Sequence, residues 1–297
     1  MYGQGDYVRD LRFKLRKRFY EIHIPPQYDK SKPIPAVLLF HGGGGHPAAV
    51  RYETGMDSVA DREGFIAIYP AGTNNKLLLR GRLLLWNDGR PHKDGSYSKV
   101  DDVGFVNAVL DDASRLFSID QRRVYAAGFS NGAQFTYRLA NQLSNRIAAI
   151  AAVAGQRAVD ELFSSPARPI SIMQFSGLKD TLGPYYGGSP TFGEAEFKTN
   201  LKSITETIPS WVKFNGCPQE PSSVKRIGNA VETRYGPGKD NTEVILWTLE
   251  DGGHTWPGGK VMPNVEKLGL GKMGNVNQDI NASDLIWDFF KRHSRTN

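Results

Sequence analysis

Residues 122–132 read RRVYAAGFSNG, and the fold turns on how this stretch is parsed. Arg123 to Ala127 is a short apolar run with the look of a buried strand. Past Ser130 the apolar residues Tyr137, Leu139 and Leu143 recur at helical spacing. Gly128-Phe129-Ser130-Asn131-Gly132 therefore sits between a strand and a helix. The composition of the chain would produce roughly 0.2 G-x-S-x-G matches by accident, so the pattern alone is weak. Its position makes it informative. A strand that turns sharply into a helix needs residues without a Cβ on either side of the turn, and it lifts the serine hydroxyl above the sheet.

Working outward, apolar runs rich in β-branched residues occur at 36–40, 65–69, 147–153, 170–175 and 244–249, with helical stretches between them. That alternation predicts βαβ units and a mostly parallel sheet with helices on both faces. Tyr20, Ile22 and Ile24 alternate ahead of Pro25 and Pro26, which predicts an antiparallel edge strand. Phe105, Val109, Ala113 and Leu116 share a helix face behind a cap at Asp101 or Asp102. Leu285, Ile286, Phe289 and Phe290 do the same behind Asn281 or Ser283. The 297 residues show no linker, repeat or compositional break, so one α/β domain over 1–297 is expected.

Composition excludes several classes. A hydrophobic share of 39% and a charged share of 23% describe a globular chain, and no apolar run approaches the roughly 20 residues that cross a bilayer. The net charge is +6, with six basic residues between Arg9 and Arg18. Leu11, Phe13 and Leu15 alternate with Arg12, Lys14 and Arg16, which reads as a strand with one solvated face and not as a nucleic-acid surface. The single cysteine, Cys217, excludes an internal disulfide and is expected to pack as a small apolar group. The first residues contain no apolar signal core, so the chain is either intracellular or the product of signal removal.

A serine nucleophile needs a base, and the base needs an orienting acid, in the chain order Ser, acid, His. Only His254 and His293 follow Ser130. His293 lies among Lys291, Arg292 and Arg295 and reads as a solvated surface residue, whereas His254 lies in GGHTWPGG past the last strand. Asp180 ends QFSGLKD at a strand's C-terminal end and is preferred over Asp160, Asp240 and Asp251. Backbone N–H groups of Asn131 and of Gly43, within HGGGG at 41–45, are candidates for an oxyanion hole. A phosphate loop is the competing reading of those glycines, but no G-K-[ST] follows. His41 reads as a brace for that turn. Trp86, Gln156 and Trp256 are candidate substrate contacts. No His and carboxylate grouping has metal-ligand spacing, so neither a metal nor a cofactor is expected. The loop regions 74–95 and 182–193 are candidates to flank a cleft.

With these residues in hand, the chain resembles the polyhydroxybutyrate depolymerase group of esterases, which includes bacterial feruloyl esterases. The likeness rests on LLFHGGGG, WNDG, VDDVGFVNAVLDD, RRVYAAGFSNGA, FSGLKD, NGC, GGHTWPGG and ASDLIWDFF. It implies an α/β-hydrolase fold and hydrolysis of a feruloyl, other aryl or short-chain ester through an acyl-enzyme on Ser130, Asp180 and His254, with hydroxybutyrate oligomers as the alternative substrate. It also implies export and a substrate of plant cell-wall origin. Acyl transfer, or a silent binding protein on the same scaffold, are the rival functions, and oligomeric state stays open. The chain departs from the group in lacking a second cysteine to pair with Cys217 and in its LLLRGRLLLW segment.

Overall fold

The computed structural model describes residues 3–74, 83–91, 98–157, 166–189, 200–263 and 272–295. In chain order its elements are β1 (Gly5–Phe13), β2 (Arg16–Ile24), β3 (Ile34–Phe40), α1 (Pro47–Thr54), α2 (Met56–Glu63), β4 (Ile66–Pro70), and the short pair β5 (Thr73–Asn74) and β6 (Leu84–Leu85). There follow α3 (Asp102–Leu116), β7 (Ile119–Phe129), α4 (Asn131–Gln142), β8 (Ala149–Val153) and β9 (Ser171–Gly177). The last are α5 (Ile204–Asn215), β10 (Ser223–Ile227), β11 (Ala230–Tyr235), β12 (Val244–Leu249) and α6 (Ala282–Phe290).

Ten strands form one sheet in the order β1-β2-β4-β3-β7-β8-β9-β12-β11-β10. The six from β4 to β12 are mutually parallel, and antiparallel strands are added at both ends. Both faces are covered. Ala36, Leu38 and Phe40 of β3 pack with Phe105 of α3, Phe135 of α4 and Trp211 of α5. Val37 and Leu39 turn the other way, to Val50 of α1, Met56 of α2 and Phe289 of α6. Strands buried on two sides cannot alternate, and every residue of β8 and β9 is buried. The α/β-hydrolase architecture expected from the sequence is the one observed. Asp101 caps α3 by accepting the Gly104 N–H at 2.8 Å, and Asn281 caps α6 through the N–H groups of Ser283 and Asp284.

Three expectations need correction. The basic run at 9–18 is a hairpin, not one strand. Lys14 (φ 52°) and Leu15 form its two-residue turn, so Leu15 is fully exposed instead of sharing a face with Leu11 and Phe13. Four of its six charges are neutralised locally: Arg9 pairs with Asp112, Lys14 with Asp101, Lys17 with Asp10, and Arg18 is buried against Asp102 at 2.8 Å with its guanidinium 3.7 Å above the Phe105 ring. Second, β2 is not the edge, because β1 covers it. Third, His293 is not solvated. The end of α6 folds against β9 and β12, which places its Nε2 at 3.0 Å from Glu243 and its Nδ1 at 3.3 Å from the Ser171 hydroxyl. Cys217 is buried, with Sγ 3.8 Å from the Thr242 carbonyl. No helix among the described residues is long and apolar enough to cross a membrane.

Candidate active site

Strand β7 lies fifth in the sheet and runs straight into the turn at Ser130. Ser130 has φ 54° and ψ −119°, a conformation L-residues rarely adopt. It is held there by its own N–H, donated to the Val153 carbonyl at 2.9 Å, and by its carbonyl, which accepts from Gln134 at 3.1 Å. The flanking glycines are required by contact. A Cβ on Gly128 would lie 2.3 Å from the Gly132 carbonyl oxygen, and one on Gly132 would lie 2.2 Å from that of Phe40. Helix α4 can therefore start directly against the ends of β3 and β7.

His254 comes from the loop after β12, and that loop is fixed by neighbouring backbone. Its N–H donates to the Met273 carbonyl at 2.6 Å, and that of Gly253 to Asn275 at 2.9 Å. The ring places Nε2 2.8 Å from Ser130 Oγ and Nδ1 2.8 and 3.0 Å from the two carboxylate oxygens of Asp180. A carboxylate accepts only, so Nδ1 carries the proton and Nε2 offers its lone pair to the hydroxyl. Asp180 is buried, which on its own would raise its pKa. The His254 contact and the N–H groups of Leu182 and Gly183, at 2.8 and 2.7 Å, outweigh burial and hold the carboxyl below its ordinary value. Its competitors stand elsewhere. Asp240 is exposed, Asp251 accepts from Asn275 and Asn277 at 2.7 Å each, and Asp160 lies outside the described residues.

The glycine loop faces this line. A Cβ on Gly42 would be 3.3 Å from that of Ser130, and one on Gly43 would be 3.6 Å from that of Asn131. The N–H groups of Gly44 and Gly45 are committed to Leu84 and Gly42 carbonyls. That of Asn131 opens α4, where no preceding carbonyl of the helix can reach it. His41 braces the loop. Its Nδ1–H donates to the Gly42 carbonyl at 2.8 Å while Nε2 accepts from Gly72 at 3.0 Å, and burial pushes its pKa down to about 4.

Gly42 to Gly45, Ser130, His254 and Trp256 border a cleft of about 110 Å³. Trp256 forms part of its wall, with Nε1–H bonded to Ser283 Oγ at 3.0 Å. Trp86 and Gln156, the other two candidate substrate contacts, are not among the residues that border it. Trp86 is stacked on Phe135 at 4.9 Å. It donates its indole N–H to the His41 carbonyl at 3.1 Å and its backbone N–H to Asn131 Oδ1 at 2.8 Å, so it ties the glycine loop to the start of α4. Gln156 is fully buried and donates to the Pro184 carbonyl at 2.8 Å, bracing the turn beyond Asp180.

Sequence reasoning missed two groups. Asp88 accepts from Asn131 Nδ2 at 2.5 Å and from Arg90 at 2.7 Å, and the signal for it was the WNDG stretch, whose polar pair went unassigned. Glu53 of α1 lines the cleft, with no local pattern to mark it. A third cluster, Asp6, His23 and Asp57, gathers potential metal-ligand atoms within 4.8 Å, contrary to the expectation from spacing, but the Arg51 guanidinium pairs with both of its carboxylates.

Residues 19–176, just over half of the chain, match the esterase PHB depolymerase family profile. This chain belongs to that family. Similar proteins include feruloyl esterase B of Piromyces equi, 29% identical over 92% of this chain and 45% of the relative. Another is the bifunctional acetylxylan esterase/xylanase XynS20E of Neocallimastix patriciarum, 28% identical over 91% of this chain and 32% of the relative. The chain thus spans less than half the length of those two proteins. Among solved structures, an acetyl xylan esterase from Aspergillus awamori superposes with a TM-score of 0.60 at 15% identity, covering 89% of this chain and all of that one, which shows a shared fold.

Proposed function

We propose that the chain is a serine carboxylic ester hydrolase acting through an acyl-enzyme, with residues 1–297 working as one catalytic domain. The observation that carries this reading is the unbroken line from Ser130 Oγ through His254 to Asp180, with 2.8 Å contacts at both ring nitrogens, at the wall of a cleft. His254 Nε2 takes the proton of Ser130 as Oγ attacks the ester carbonyl. The negative charge that develops on the carbonyl oxygen is met by the N–H groups of Gly43 and Asn131. His254 then gives its proton to the departing alcohol. Water, deprotonated by the same nitrogen, releases the acid and restores the serine. Asp180 stays ionised throughout and holds the imidazole in the useful tautomer. These steps require no cofactor.

For the substrate we propose aryl, feruloyl or short-chain esters, such as those of plant cell-wall polymers. The names of the fungal relatives support this, and hydroxybutyrate oligomers are the second class to test. Export from the cell, which the family resemblance implies, is part of the same proposal. The deciding experiment measures kcat/KM on methyl ferulate, p-nitrophenyl esters and a hydroxybutyrate oligomer, with Ser130→Ala as the blank. The variant should lose on the order of 10³ or more in rate and fail to react with a fluorophosphonate probe. Activity near that of the parent would end the proposal. An added alcohol acceptor separates transfer from hydrolysis by the product formed.

A further inference from the structure

Glu53 stands one helical turn after Ala49 on α1, and both line the cleft that holds Ser130 and His254. A carboxyl in such a wall ordinarily has a cation or several donors. Among the described residues Glu53 has neither: only its backbone carbonyl is engaged, by the Lys260 N–H at 3.0 Å. The nearby cations are turned elsewhere. Lys260 Nζ lies 5.1 Å from the Tyr52 ring centroid, and Arg51 pairs with Asp6 and Asp57 on the far side of the helix. Among the described residues of the loop after β12 the groups facing the cleft are His254 and Lys260, and no charged neighbour among the described residues alters the titration of Glu53. Burial alone raises its pKa to about 8. At neutral pH the group is therefore a carboxylic acid, with one O–H to donate and nothing in the described protein to receive it.

We propose that Glu53 determines specificity by donating a hydrogen bond to an acceptor oxygen of the substrate, either an aryl ether or a second carbonyl, within the cleft. This rests on the esterase reading and adds to it the chemical feature that is selected. Glu53 is half-buried while the cleft is open, and a bound substrate that covers it without offering an acceptor would leave its donor unpaired, so a substrate that supplies the oxygen is favoured over one that lacks it. Aryl ether oxygens occur on methoxylated cinnamoyl esters, and second carbonyls occur along oligoesters. The same donor would serve either, and the test separates them.

The test compares kcat/KM within two pairs of substrates, methyl 3,4-dimethoxycinnamate against methyl cinnamate and methyl 4-oxopentanoate against methyl pentanoate. None of these titrates, and any change in His254 affects both members of a pair, so the ratio isolates the donor. The parent should prefer the oxygen-bearing member of at least one pair, and the responding pair names the source. Glu53→Leu should reduce that preference about 10-fold or more. Glu53→Gln keeps an N–H to donate and should hold it within about 3-fold. Raising the pH through about 8 should erode the preference in the parent, as the donor proton leaves, and not in Glu53→Gln. Ratios that stay flat across variants and pH, with Ser130-dependent turnover intact, overturn the role of Glu53 and leave the hydrolase reading standing. Turnover that survives Ser130→Ala overturns the hydrolase reading itself.

Discussion

Replacing Asp180 by asparagine keeps the shape of the site and inverts its proton logic. In the parent, Asp180 Oδ1 accepts from Leu182 and Gly183 at 2.8 and 2.7 Å, and Oδ2 sits 2.8 Å from His254 Nδ1. An asparagine must keep its carbonyl oxygen on the two backbone donors, because its NH₂ group cannot accept. That fixes Nδ2 toward His254, so Nδ1 must become the acceptor and the ring proton moves to Nε2, facing Ser130. The imidazole then cannot take the hydroxyl proton. The same tautomer error in other triads costs about 10⁴ in kcat, equivalent to about 5 kcal/mol of barrier. The assay is p-nitrophenyl acetate hydrolysis by parent and Asp180→Asn, with the thermal midpoint recorded to show that both are folded. A loss below about tenfold in a folded variant would refute the argument, since it would mean that the acid does not set the tautomer.

Trp86→Phe keeps the stack on Phe135 and removes the indole N–H held by the His41 carbonyl. Stopped-flow acylation should slow with KM little changed, because the glycine loop loses its tie while the cleft wall does not. Gly132→Ala places a methyl 2.2 Å from the Phe40 carbonyl oxygen, and overpacking of this kind costs about 1–3 kcal/mol or prevents folding. Chemical denaturation of the variant gives the figure directly. Glu243 is half-buried, which favours protonation, yet hydrogen bonds from His293 and Arg292 and the charge of Arg234 hold its pKa at about 2. Its folded value thus lies below its unfolded one. The stability it contributes is present above the ordinary glutamate pKa and is lost as pH falls toward about 2. Glu243→Gln should therefore flatten the acid limb of the thermal midpoint against pH; an unchanged limb would show that other carboxylates govern it.

The site's chemistry was legible in the sequence where backbone and side-chain demands coincide. Gly128 and Gly132 bracket Ser130 because no other residue fits there, and that local necessity leaves a pattern. His254 and Asp180 were legible by order and position at strand ends. The parallel strands showed as continuous apolar runs because both of their faces are covered. Less legible were β10, which is mostly exposed, β11, whose half-buried residues give a mixed pattern, and the turn at Lys14 and Leu15, which carries no glycine or asparagine to announce it. The roles of Trp86 and Gln156 were hard to read for a further reason. A large aromatic or an amide near a catalytic motif looks the same in sequence whether it faces the ligand or holds the backbone that does. Glu53 was invisible because its meaning depends on what surrounds it in the fold.

The backbone at Ser130 bears on how this protein would respond to selection for robustness. A residue held at φ 54° and ψ −119° costs the native state on the order of 1–3 kcal/mol, which a glycine at the same place would largely relieve. On the proposed mechanism, the mutation that most simply toughens this turn is thus also the one that silences it. A lineage under thermal pressure that keeps the hydroxyl must find its gains elsewhere in the sheet and helices.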